Sequence, residues 1–147
     1  MSINIELRDQ FISVSNQRFN TLLSFVLDVA GSTSATAEER EYLCRLTRWY
    51  EQEHFPGCIF DMDELFPTPE EKRFWARCFQ DVARRMFLRE LGNHGIDDWQ
   101  PSAIGDAYIT SRVLMSAVYA DERRASTLDM RGKLNQDEGE GPINVHL

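Results

Sequence analysis

The sequence predicts an all-α fold, a small single-domain bundle of about four principal helices. Three observations carry that reading. Apolar residues recur at helical spacing in four successive segments, Gly- and Pro-containing breaks separate those segments, and two of them open on a capping-box pattern. A chain of 147 residues is long enough to bury one hydrophobic core without metal or disulfide support.

The first helix is expected over residues 9–30, where Ile12, Ser15, Phe19, Leu22, Leu23, Val26 and Ala30 share one face. Gly31-Ser32-Thr33-Ser34 ends it. Thr36-x-x-Glu39 then opens a second helix with Tyr42, Leu43, Leu46, Trp49 and Tyr50 inward, closed by His54-Phe55-Pro56-Gly57. Thr68-Pro69-Glu70-Glu71 starts the third, with proline where its missing N–H is not needed. Its stripe is Trp75, Cys78, Phe79, Val82, Ala83 and Met86, and Gly92 stops it. The fourth runs from about Trp99 or Pro101 to Arg123, with Ile104, Ala107, Tyr108, Leu114, Met115 and Val118 inward. No segment reads as an alternating strand. The bundle is expected to occupy residues 1–124. Residues 125–147 read as a loose, acidic, Gly-rich tail that docks at most through Leu128, Leu134 or Ile143.

Composition narrows function by exclusion. The net charge of −8 opposes attraction to nucleic acid or anionic membrane, so neither is expected as a partner. No apolar run is long enough to span a bilayer, and the first residues lack the basic and apolar regions of a secretory signal. Cytoplasmic residence is the expectation. Three cysteines without a C-x-x-C pair read as reduced core thiols.

Residues 58–71, Cys-Ile-Phe-Asp-Met-Asp-Glu-Leu-Phe-Pro-Thr-Pro-Glu-Glu, raise the possibility of catalysis. Ile59-Phe60-Asp61-Met62-Asp63 resembles the nucleophile loop of haloacid dehalogenase-like phosphatases. That resemblance implies Asp61 as nucleophile and Asp63 as its acid/base partner. Pro56-Gly57 leaves no room for a long central strand before Asp61. Glu64 stands where a small residue is needed, and Asp97-Asp98 follow a turn instead of a strand. Glu51-x-x-His54 has di-iron spacing, but Glu90 and His94 are one residue too far apart for its partner motif. A Cys–His pair or other site assembled in space is the third enzymatic option. The expectation is therefore no catalytic residue, no metal and no cofactor.

Two candidate surfaces remain. Residues 51–71 carry Glu51, Glu53, Asp61, Asp63, Glu64, Glu70 and Glu71 and no Lys or Arg, a surface suited to a basic partner. The helix that follows reverses sign: Lys72, Arg73, Arg77, Arg84, Arg85 and Arg89, less Asp81, leave +5 over residues 72–89. It reads as a solvated face or as intramolecular partners for the acidic loop. On the fourth helix, Ile109, Val113 and Ala117 form a second apolar stripe, which is either central in the bundle or an interface.

The functional expectation is a non-catalytic protein that binds and occludes another protein. Small acidic single-domain chains of this kind resemble, in type and not in motif, the immunity proteins that neutralise bacterial toxins, basic nucleases among them. The alternatives are a chaperone or adaptor for a secreted partner, or a homodimer, using the Ile109/Val113 face.

Overall fold

The computed structural model describes residues 2–88 and 100–137, apart from the side chains of residues 100, 101 and 133–137. The chain begins with a β-hairpin, β1 (Ser2–Leu7) and β2 (Gln10–Ser15), followed by α1 (Asn16–Thr33) and α2 (Ala37–Gln52). A short strand β3 (Ile59–Asp61) runs directly into α3 (Met62–Leu65). α4 (Pro69–Phe87) and α5 (Gln100–Asp137) complete the described fold. The all-α expectation is thus overturned: the protein is α/β, mostly helical, with a mixed three-stranded sheet in the order β2-β1-β3.

The hairpin went unread for a physical reason. Ile3, Ile5 and Leu7 alternate with Asn4 and Glu6, as a half-buried strand does. Its two-residue turn is Arg8-Asp9, without the glycine or asparagine that normally marks a hairpin. Arg8 adopts φ 59°, a conformation that costs a residue with a Cβ about 1 kcal/mol. Ile12 and Ser15 also fit a helical period with Phe19, but the helix begins only at Asn16, with Ser15 as its N-cap accepting from Arg18 N–H at 3.1 Å. Antiparallel register pairs Ile3 with Val14, Ile5 with Ile12 and Leu7 with Gln10. β3 lies parallel to β1, with Ile5 opposite Phe60 and Glu6 opposite Asp61.

The helices follow their sequence signals more closely. Thr36 and Glu39 form the full capping box, the Thr36 hydroxyl accepting from Glu39 N–H at 3.1 Å and the Glu39 carboxylate from Thr36 N–H at 3.2 Å. Thr68 accepts from Glu71 N–H at 3.1 Å, but the Glu71 side chain turns inward to Arg45 instead of closing a second box. The whole predicted α4 stripe is buried, and α4 packs along α5 as the most extensive helix pair among the described residues. α4 ends at Phe87; the predicted stop at Gly92 lies outside the described residues, as do Arg89, Glu90, His94, Asp97, Asp98, Ile143 and His146. Tyr108, read as inward, is exposed. Residues 125–137, read as loose tail, continue α5 without a break, and Leu128 is exposed on it.

One face of the sheet carries Ile3, Ile5, Leu7, Val14 and Phe60 into the core. Phe60 sits at its centre, 5.3 Å from the ring of Phe19, 5.2 Å from Trp49 and 5.8 Å from Phe66, which stacks on Trp75. Fully burying a ring such as Phe60 stabilises by about 1.5–3 kcal/mol. That packing fixes where β3 ends, and so where Asp61 and Asp63 stand.

Candidate functional site

Asp61 stands at a strand-to-helix junction, and only three residues of strand lead into it, as Pro56-Gly57 allows. The chemistry of the junction is nevertheless a cap. Oδ1 of Asp61 accepts from the N–H of Asp63 at 3.0 Å and of Glu64 at 3.3 Å, so the amides that could cradle a phosphate already hold a carboxylate. β3 is an edge strand of three residues, and no described strand lies beyond it. Asp63 is held as well. Its Oδ1 lies 3.2 Å from Lys72 Nζ and 3.5 Å from Arg8 Nε, and Arg8 also forks onto Asp121 at 2.7 and 2.8 Å. The hairpin turn, α3, α4 and α5 are joined through these four side chains. The ties to Asp121 and Asp63 hold the Arg8 guanidinium above its ordinary pKa.

Other titratable groups are also absorbed by packing. Glu71 is buried and paired with Arg45; desolvation raises its pKa, and the guanidinium opposes the rise. Asp106 is likewise raised by burial and held by Arg18, a link from α1 to α5. His54 lies between the rings of Phe19, at 5.4 Å, and Tyr50, at 5.0 Å, and desolvation lowers its pKa. It is a packed ring on the core edge. Burial pushes the Cys78 thiol up to about 12, which leaves it unreactive at neutral pH, and Cys58 is buried while Cys44 is exposed. Among the described residues no three His, Cys, Asp or Glu side chains converge as a metal would need.

The seven acids of the predicted surface therefore divide. Asp61, Asp63 and Glu71 serve the fold, whereas Glu51, Glu53, Glu64 and Glu70 reach solvent. Of the basic residues on α4, Lys72 meets that loop, through Asp63 and the Phe66 carbonyl. Arg73 pairs with Glu122, Arg77 with Glu39, and Arg85 with Asp81.

Strand register adds residues that the helical reading missed. The face of the sheet turned away from the core shows Phe11, Glu6 and Asp61 across one rung and Ser13, Asn4 and Ile59 across the next. Phe11 is 63% exposed and Ile59 54% exposed. Phe55, in the loop before β3, is exposed too. The period-2 pattern of residues 2–7 was the signal that could have placed Glu6 outward. The open face thus combines carboxylates, the two exposed apolar side chains of Phe11 and Ile59, and small polar groups.

The second predicted surface is shortened. Ala117 is buried, Val113 half-buried, and Ile109 45% exposed. Ile109 and Val113 line an apolar cleft of about 220 Å³ between α5 and the hairpin, with Ile5, Leu7, Ile12 and Met62.

No family model, curated protein or solved structure matches this chain. No described helix is long and apolar enough to cross a membrane.

Proposed function

We infer that the chain is a non-catalytic protein-binding protein that occludes a basic surface on its partner, in the manner of toxin-neutralising immunity proteins. One observation carries the reading. Residues 51–71 expose Glu51, Glu53, Glu64 and Glu70 together with the apolar side chains of Phe55 and Ile59, and hold no Lys or Arg. Exposed apolar anchors surrounded by like charges are the makings of a recognition surface, in which burial supplies affinity and charge supplies partner choice and encounter rate. The overall −8 charge extends that field. A nuclease cleft built for phosphates is the kind of surface it complements. The test is inhibition of a basic nuclease domain encoded beside this gene. Stoichiometric protein should abolish cleavage, with protection weakening as salt rises; full cleavage in its presence would end the reading.

A second reading puts an apolar segment of another chain in the Ile109/Val113 cleft, as a chaperone, adaptor or homodimer would. The half-exposed Ile109 over an apolar floor favours it. Binding there would be insensitive to salt.

A further inference from the structure

β2 is an edge strand whose only strand neighbour among the described residues is β1. Its residues, Gln10–Ser15, include no charged side chain and no proline. Soluble proteins guard such an edge with those residues or cover it, because its free N–H and C=O groups will pair with any suitable strand. The apolar cleft lies alongside, and half-buried Ile12 belongs to both edge and cleft. An unguarded edge beside an apolar trough is the arrangement that accepts an added strand: backbone pairs along the edge, and alternate side chains enter the trough.

The sequence contains a segment of matching pattern. Residues 142–147, Pro-Ile-Asn-Val-His-Leu, reproduce β1, Ser-Ile-Asn-Ile-Glu-Leu, nearly position for position. Ile143, Val145 and Leu147 correspond to Ile3, Ile5 and Leu7, and Asn144 to Asn4. β1 already pairs antiparallel with β2 and buries its three apolar side chains on the inward face. A strand with the same alternation on the other edge of β2 can direct three apolar groups to that same side, toward Ile12, Ile109 and Val113.

Reach decides which copy supplies the segment. Arg8, at the hairpin turn, grips Asp121, so α5 passes the turn at that point. The helix continues for 16 residues to Asp137, roughly 24 Å. Residues 122–132 are all exposed, so this half of α5 projects from the body. The six residues from Asp137 to Ile143 span at most about 20–22 Å. An antiparallel strand would have to begin beside Val14, a further ~13 Å past the turn. The segment cannot double back that far along its own helix.

We propose that residues 142–147 of a second copy add as a fourth strand to the β2 edge, with Ile143 beside Val14 and with Val145 and Leu147 entering the cleft, giving a two-fold dimer with exchanged strands. The projecting half of α5 carries each strand outward to the other copy. The cleft is lined from the core side of the hairpin by Ile5, Leu7 and Ile12 and reaches Phe11 round the β2 edge, but none of Glu51, Glu53 or Glu64 lines it. The proposal therefore does not rest on the acidic-face reading, and it commits the second reading's cleft to one occupant.

Complementation tests it by sedimentation velocity. A version lacking residues 142–147 keeps the cleft and loses the strand; Ile109→Asp keeps the strand and spoils the cleft. Circular dichroism checks that both remain folded, as the exposure of Ile109 leads one to expect. The full chain should sediment as a dimer, each variant alone as a monomer, and their equimolar mixture as a 1:1 dimer with one exchanged strand. A deletion version that still dimerises would place the interface elsewhere. A full chain that stays monomeric at high concentration, or a mixture that does, would overturn the exchange, whether the segment docks on its own copy or nowhere.

Discussion

The ammonium of Lys72 donates to the carbonyl of Phe66 at 2.7 Å and lies 3.2 Å from Oδ1 of Asp63, in surroundings that leave the lysine 2% exposed. A buried cation is tolerable only while its partners stay in place. Asp63→Ala should therefore cost about 1–3 kcal/mol, toward the lower end because Asp63 itself is partly solvated. Urea denaturation followed by tryptophan fluorescence reads the change. An unaltered midpoint would mean that Asp63 is free to serve another purpose.

Arg8 combines a strained backbone with two ion pairs. Arg8→Ala keeps the φ 59° strain and loses both pairs, whereas Arg8→Gly loses the pairs but relieves the strain. The alanine variant should be less stable than the glycine variant by about 1 kcal/mol. Equal melting temperatures would show that the turn relaxes once the guanidinium is gone.

His54 gives the protein a pH dependence of definite sign. Burial among Phe19, Trp49 and Tyr50 lowers its pKa in the folded state. The unfolded chain then binds the proton more readily, so the His54 contribution is complete above about pH 6.5 and is lost as pH falls through the folded value. His54→Phe should flatten the stability profile between neutral and mildly acidic pH. A variant that retains the wild-type slope would assign that slope to other groups.

Thiol labelling should separate the three cysteines. Cys44 is exposed, while Cys58 and Cys78 are buried and the Cys78 thiol is pushed up to about 12. Iodoacetamide should modify Cys44 first, with Cys58 and Cys78 reacting only on unfolding. Peptide mapping of partly labelled protein decides it, and early modification of Cys78 would contradict its packing.

Signals confined to a few neighbouring residues were legible in the sequence. Thr36 and Glu39 cap α2 as their spacing requires, and the stripe from Trp75 to Met86 faces the core. The sheet was not legible, because Arg8-Asp9 lacks the glycine or asparagine that marks a two-residue hairpin turn and β3 is only three residues long. Asp61 looked exposed because a cap on a four-residue helix leaves no pattern beyond its immediate neighbours. Glu71 was read as a surface acid because its partner, Arg45, lies 26 residues earlier. The candidate site was therefore half visible: the run of acids stood out, but the apolar residues beside them emerge only from the register of Glu6, Phe11 and Ile59.

The most direct measurement is the association rate with a basic nuclease partner, followed by stopped flow from low to high salt. The variant Glu51→Lys/Glu53→Lys/Glu64→Lys alters exposed acids that make no part of the cap or the Lys72 pair. Its control, Ile109→Asp/Val113→Asp, alters the cleft. If the acidic face recognises the partner, the reversal should slow association by about tenfold or more and flatten its salt dependence, while the control associates as wild type does. If the reversal associates as fast as wild type and the control fails, the acids are only solvated and the partner binds at the cleft.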